Sequence, residues 1–334
     1  MMLISMNACC QQRPLYTQYV LNTFIINPAV AGIENYWDVK ASHRQQWVGL
    51  DGAPETTYLT IQGPLKKSDF DDREDPNSLH PDGDNPRGHA YWEDYGATDP
   101  HAGIGLSIIN DATGPLNNFS IYGTYAYHIP ISLRTSLSGG ISVGGQELTL
   151  NTSKLNFGPD YPVDPSVAGS GYLDRWKPDI SAGLWLYSRH YFVGFSAQNI
   201  LPSDLAFSQD TLKVSTTGKL IPHLFLTAGY RIPLSDDVSF LPSVMLRYVN
   251  PVPVGFDINL KFQYRDLLWA GSSFRYQDGF AVMLGANVSN TFNFGYSYDY
   301  TTSALNTVSY GTHELLVGFL IGNRYRDWCP RNLW

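Results

Sequence analysis

The chain has 334 residues and carries 22 Lys+Arg against 30 Asp+Glu, a formal net charge of −8. Only 16% of residues are charged and 14% are aromatic, with 22 Tyr and 8 Trp; no basic patch able to neutralise phosphates is present, which argues against nucleic acid as a partner. No apolar run reaches the roughly 18 residues of a transmembrane helix, a test that says nothing against a membrane barrel, whose strands are half polar.

The first ten residues, MMLISMNACC, end in small residues just before QQRPLYTQ, as a secretory signal does, but lack its charged start and long apolar stretch. Residues 1–10 therefore read as a truncated signal-peptide remnant, with the mature chain starting near Gln11. Acylation of Cys9 or Cys10 is the alternative, although Met6 or Asn7 three residues earlier matches a lipobox poorly. Residues 11–36 form an apolar-rich N-terminal segment without strand alternation, ending in the Pro and Gly turn of NPAVAG. The expectation is a short helix over 13–26 packed within or under a barrel mouth, a periplasmic or plug-like element.

Period-two alternation then takes over. GIGLSIIND sets Ile104, Leu106 and Ile108 against Gly103, Gly105 and Ser107; YFVGFSAQN sets Val193, Phe195 and Ala197 against Gly194, Ser196 and Gln198. NFSIYGTYAYHI places Phe119, Ile121, Tyr125 and Tyr127 opposite Asn118, Ser120, Thr124 and His128. GFDINLKFQYRD separates Phe256, Ile258, Leu260, Phe262 and Tyr264 from Asp257, Asn259, Lys261 and Gln263, and FNFGYSYDY separates Phe294, Tyr296, Tyr298 and Tyr300 from Gly295, Ser297 and Asp299. Such segments number about fourteen, many long enough to cross a bilayer at about 9–11 residues. They fall near 37–49, 55–64, 102–110, 117–129, 133–147, 176–188, 191–199, 219–232, 238–249, 254–265, 267–276, 279–288, 291–301 and 308–321. An all-β transmembrane antiparallel barrel over 37–322 follows, with the apolar parity toward lipid, the polar parity toward the lumen, and Tyr and Trp girdling the strand ends. A soluble sandwich is the rival reading. An even strand number brings both termini to one side, the periplasmic one.

The connections alternate between short turns (HIPIS, YSRHY, PLSDD, YRDLL, SNTFN) and a set holding two long loops, 148–175 and 200–218. An acidic, Pro- and Gly-rich insertion over 66–101 breaks the rule on the short-turn side and reads as a solvated loop, since its Asp run lacks the ligand order of an EF-hand. Residues 323–334 are a C-terminal tail.

Catalytic and metal motifs are missing: there is no G-x-S-x-G elbow, P-loop or H-E-x-x-H, and Cys9, Cys10 and Cys329 have no zinc spacing. No cofactor or metal is expected. His43 and His128 are placed on polar strand faces, as lumen hydrogen-bonding groups. Arg44 and Lys261 are expected to point inward, with Asp257, Asp299 and Glu314 as neutralising partners. Asp51 and Gly52 in LDGAP read as a tight turn, and Asn110, Asp111 and Gly114 in IINDATG as another.

In this order, LYTQYVLNTFIINPAVAG, HRQQWVGLDGAPETTYLTIQGPL, GIGLSIINDATGP, DLLWAGSSFRYQDGFAVMLG, FGYSYDYTTSAL, SYGTHELLVGF and CPRNLW resemble the PorP/SprF family of Bacteroidota outer-membrane proteins, associated with type IX secretion and gliding motility. The resemblance covers almost the whole chain; the 66–101 insertion departs from it. The residues carrying it are Asn27, Pro28, Arg44, Gln46, Trp47, Gly49, Asp51, Gly52, Pro54, Asn110, Asp111, Gly114, Tyr298, Asp299, Tyr300, Gly311, His313, Glu314, Cys329 and Pro330. What it implies is a non-enzymatic barrel in the outer membrane that binds, anchors or assists surface export of a particular cargo, adhesin-like and recognised through a type B C-terminal domain. The long loops would dock the cargo. The N-terminal segment, the insertion and the tail would meet a periplasmic peptidoglycan-binding lipoprotein and the secretion ring. In the tail, pairing of Cys329 with Cys9 or Cys10 and a free thiol both remain open. The alternatives are a diffusion channel or solute transporter, which the polar parity suits, and an outer-membrane enzyme, for which no convergent acid–base set is present.

Overall fold

The computed structural model describes residues 14, 16–65, 96–155, 172–201, 221–265, 267–289 and 291–323. The remnant 1–10, most of the 66–101 insertion, the central part of the 148–175 loop, nearly all of the 200–218 loop and nearly all of the tail lie outside them.

The strands are β1 (Trp37–Gln45), β2 (Glu55–Leu65), β3 (His101–Thr113), β4 (Leu116–Ser132), β5 (Thr135–Asn151), β6 (Tyr172–Ser188), β7 (Tyr191–Gln198), β8 (His223–Tyr230), the two-residue β9 (Ile232–Pro233), β10 (Val238–Val249), β11 (Val252–Tyr264), β12 (Leu268–Arg275), β13 (Gly279–Asn287), β14 (Phe292–Thr301) and β15 (Thr312–Ile321). All pair antiparallel with their neighbours, β1 with β15 and β10 with β11, so the sheet closes on itself. With β9 a short continuation beside β10, the result is a closed barrel of fourteen long strands, as expected from the alternation. No described helix is long and apolar enough to cross a membrane.

The two parities divide as lipid outside and polar lumen inside require. On β11 the side chains of Asp257, Asn259 and Lys261 are buried, whereas Ile258, Leu260, Phe262 and Tyr264 are exposed. On β4 Ser120, Thr124 and His128 are buried and Phe119, Ile121, Tyr125 and Tyr127 exposed. Exposed aromatics stand near strand ends: Trp37, Tyr230 and Tyr264 toward the short turns, Tyr248, Tyr276 and Tyr300 toward the other end.

Several boundaries move. Residues 148–151 and 172–175, expected in a loop, extend the β5–β6 ladder, Leu148 facing Arg175 and Asn151 facing Tyr172. Asn110 and Asp111, expected in a turn, are paired rungs of β3 opposite Phe119 and Asn118; the turn is confined to Gly114 and Pro115. β1 stops at Gln45 and β15 starts at Thr312, which leaves 46–54 and 302–311 as connections.

Leu260 is near the middle of β11 and points to lipid. Leu260→Arg is expected to lower folding stability in bilayers by roughly 2–4 kcal/mol, read from urea titrations in lipid vesicles.

Candidate functional site

The lumen is occupied by the chain's own N-terminal segment, Tyr16–Tyr36, nearly all of it buried. The segment is not the helix expected over 13–26. Three single 3-10 turns, Gln18–Val20, Thr23–Ile25 and Pro28–Val30, follow one another instead. Pro28 has no N–H to continue a helix and fits a first-turn position. Asn27 caps that turn by accepting from Ala29 N at 3.0 Å. An interrupted backbone leaves amides and carbonyls without internal partners, and burial makes those groups costly unless they are satisfied.

The inward parity of the wall satisfies them. Lys40 Nζ donates to Leu21 O at 2.5 Å, and Gln198 Nε2 donates to Ile25 O and Ile26 O, each at 3.0 Å. Ser196 Oγ donates to Ile26 O at 2.6 Å and Ser138 Oγ to Ala29 O at 2.7 Å. His128 Nε2 lies 2.8 Å from Ala31 O and His101 Nε2 3.1 Å from Gly32 O, their rings stacked with centroids 4.5 Å apart. Gly32 N donates to Gln62 Oε1 at 2.8 Å. Asn27 Nδ2 reaches Leu184 O (3.0 Å) and Phe195 O (3.2 Å).

Wall glycines let the segment approach. A Cβ on Gly140 would stand 2.6 Å from Ala29 Cα; one on Gly103 would strike Ala31, and one on Gly183 would strike Asn27. Gly32 itself, at φ +83, lies against Gly103 in a conformation that L side chains rarely adopt. Apolar contacts complete the fit. Tyr16, Tyr19, Val20, Ile25 and Ile26 pack with Tyr58, Ile109, Met245, Trp269, Met283 and Leu316, while Phe24, Val30 and Ile33 pack with Trp185, Tyr187 and Phe192.

A charged network latches the far end. Arg44 pairs with Asp299 at 2.8 Å and Glu314 at 3.0 Å, the two carboxylates expected for it. Thr17 sits among them: its N–H donates to Glu314 Oε2 (2.9 Å), its hydroxyl donates to Asp299 Oδ2 (2.6 Å) and accepts from Arg44 Nη1 (2.7 Å). Asp257 belongs to a neighbouring set, with Arg247 at 3.1 Å and Arg275 at 3.6 Å, while Arg275 also holds Asp278 at 2.7 Å. Lys261 lies 5.2 Å from the Trp269 ring centre. Over this network opens a cleft of about 290 Å³, solvent included, lined in part by Arg44, Gln46, Trp47, Arg275, Asp299 and Thr312. Among the described residues no group of three or more His, Cys, Asp or Glu is placed to hold a metal ion.

Apart from Asn27 and Pro28 in the lumen segment, the other described residues carrying the family resemblance gather at the same rim. Gln46 N donates to Pro54 O at 2.9 Å, closing the 46–54 connection. That connection is bonded to both neighbours: Val48 N to Gly311 O (2.8 Å), Tyr310 N to Val48 O (2.7 Å) and Gly114 N to Gly52 O (3.0 Å). Gly52 has φ +71, as the turn reading of Asp51 and Gly52 requires. Trp47 N donates to Thr312 Oγ1 at 3.1 Å. Gly49 packs on the Tyr310 ring and Gly311 on the Tyr298 ring. Asp111 accepts from Thr56 Oγ1 at 2.6 Å. Tyr300 OH accepts from Asn306 at 2.7 Å, and His313 Nδ1 is 2.6 Å from Tyr296 OH. Cys329 and Pro330 lie outside the described residues, as do Cys9 and Cys10.

Two expectations are corrected. His43 faces outward, not into the lumen, because it shares the parity of Trp37, Val39 and Ala41; its partners are Thr57 Oγ1 at 2.9 Å and Glu55 at 3.4 Å on β2. Residues 16–36 are enclosed by the wall and so present no periplasmic contact surface. Sequence reasoning also missed Lys40, Gln62, His101, Ser138 and Gln198 as partners of the segment, Thr17 as its contact to the Arg44 network, and Gly103, Gly140 and Gly183 as its close contacts. The available signal was glycine on the inward parity, since glycine inside a strand marks close approach of another backbone.

A family model described as type IX secretion system membrane protein PorP/SprF matches residues 8–319. Comparison with curated proteins finds no match. Among solved structures, the chain is similar to the CymD monoaromatic hydrocarbon channel (11% identity, 93% of this chain and 94% of that chain covered, TM-score 0.48). It is also similar to the Ralstonia pickettii toluene transporter TbuX (9% identity, 90% and 93% covered, TM-score 0.49). A third is the Acinetobacter baumannii outer membrane protein Omp33 (9% identity, 87% and 100% covered, TM-score 0.45). At these identities the likeness concerns the fold.

Two expected outcomes follow from the packing. Gly140→Ala pushes on the Ala29 backbone and is expected to cost about 1–3 kcal/mol, whereas adjacent Gly139→Ala, whose Cβ would meet only Leu184 Cδ2 at 3.6 Å, leaves the thermal midpoint unchanged. Arg44→Ala leaves the buried Glu314 without its guanidinium and Asp299 with only Arg275 at 3.8 Å, and is expected to cost about 3–5 kcal/mol in denaturant titrations.

Proposed function

The chain belongs to the PorP/SprF family of type IX secretion system membrane proteins, and on that premise we propose that this outer-membrane barrel is a non-enzymatic partner and anchor for a secreted cargo protein. The cargo is an adhesin-like protein held through its C-terminal domain. The observation that carries this reading is the occupied lumen. A segment bonded along its length to the wall and fitted to wall glycines leaves the two end faces as the surfaces for exchange with partners. The rim built by the 46–54 and 302–311 connections supports an outward-facing docking surface, continued by the loops between β5 and β6 and between β7 and β8. The opposite face, with the 66–101 insertion and the 323–334 tail, is where a periplasmic lipoprotein and ring components of the secretion machine would meet it.

The test is mass spectrometry of what co-purifies with the tagged protein from native outer membranes in mild detergent. A stoichiometric large surface protein, lost when its C-terminal domain is deleted, is the expected result. A barrel that emerges alone and conducts ions in planar bilayers would overturn the proposal in favour of the channel.

A further inference from the structure

We infer that the lumen segment carries the chain from one face of the membrane to the other, so that Pro14 stands on the face of the 46–54 and 302–311 connections, opposite to Gly322. The inference rests on successive contacts and does not depend on which protein the barrel binds. Thr17 is held by Arg44, Asp299 and Glu314. Arg44 is the penultimate residue of β1, Asp299 is near the end of β14, and Glu314 is near the start of β15. All three positions are at the rim of the 46–54 and 302–311 connections. Further along, Leu21 O meets Lys40 and Asn22 Nδ2 meets Thr60 Oγ1 at 2.9 Å, both midway along β1 and β2. Ala29 O then meets Ser138, near the start of β5. Ala31 O and Gly32 O meet His128 and His101, at the short-turn ends of β4 and β3. Trp37 starts β1 at that same short-turn end, paired with Ile321 of β15. The contacts therefore descend in order from one rim to the other.

The consequence is a composite interaction surface. A protein docked at the 46–54 and 302–311 rim meets the Pro14 end of the lumen segment as well as the connections, while one docked at the opposite face meets Gly322 at the end of β15. An even strand count alone would have placed both on one side.

Single cysteines test this in a Cys9→Ser, Cys10→Ser, Cys329→Ser background. Pro14→Cys is compared with Ser303→Cys in the 302–311 connection and Asp236→Cys in the short turn before β10, both exposed. Intact cells are treated with a membrane-impermeant maleimide, and the labelled fraction is divided by that in lysed cells. Pro14→Cys is expected to match Ser303→Cys and to differ from Asp236→Cys by tenfold or so in this ratio, as a closed bilayer barrier implies. Matching Asp236→Cys instead overturns the inference. Should the cysteine-free background fail to reach the outer membrane, spin-label distances on refolded protein decide the same point. Pro14–Ser303 shorter than Pro14–Asp236 supports it, and the reverse order overturns it.

Discussion

Every buried amide and carbonyl of a non-helical segment must find a partner; here the amides of Leu21, Asn22, Ile25, Ile26, Asn27, Val30, Ala31 and Ile33 donate to carbonyls of the segment's own turns, and wall side chains supply the partners of the carbonyls of Leu21, Ile25, Ile26, Ala29, Ala31 and Gly32. That constraint explains the lumen more fully than solvation does. Lys40, Gln62, His101, His128, Ser138, Ser196 and Gln198 are polar because each meets a main-chain group of the segment. A helix in the same place would have satisfied itself and needed an apolar socket. A chain broken into single 3-10 turns needs a polar one. The wall and the segment are thus one hydrogen-bonded unit, with the glycines at 103, 140 and 183 making room where side-chain partners alone would hold the backbone too far away.

The charged latch follows from the same burial. Arg44, Asp299 and Glu314 come from three neighbouring strands, and each pays a desolvation penalty that only mutual pairing offsets. Thr17 adds two donors and an acceptor to that set, so the segment and the ion network stabilise each other. Above the latch, the 46–54 connection is bonded to strand connections on both sides. Bonds of this kind, main chain to main chain across neighbouring turns, stiffen a rim against the fraying expected of exposed loops.

The barrel was legible because lipid and lumen impose opposite demands on alternate residues, and that pressure extends over the whole crossing. It faded where the pressure ends. The rungs joining 148–151 to 172–175 lie beyond the apolar alternation, so they read as loop although the ladder continues through them. His43 shows the opposite error: residue type suggested the lumen, but its parity with Trp37 and Val39 decided the direction. The pairing of Arg44 with Asp299 and Glu314 was legible, since inward charges must neutralise one another. The path of Tyr16–Tyr36 was not, because its hydrogen-bond partners are scattered over eleven strands and leave no periodic mark within the segment itself.

A polar inward parity is common to an aqueous pore and to a socket, and it cannot separate them alone. What separates them is whether the inward groups are matched to something. In a pore the inward side chains need only meet water and each other, and glycine at inward positions would weaken strands without return. Here the inward glycines at 103, 140 and 183 stand opposite main-chain atoms of Ala31 and Ala29 and the Asn27 side chain. The inward donors stand within bonding distance of successive carbonyls from Leu21 to Gly32. Two independent kinds of wall residue, one defined by the space it leaves and one by the proton it offers, thus specify the same path. That agreement is the mark of a lumen shaped to hold a polypeptide.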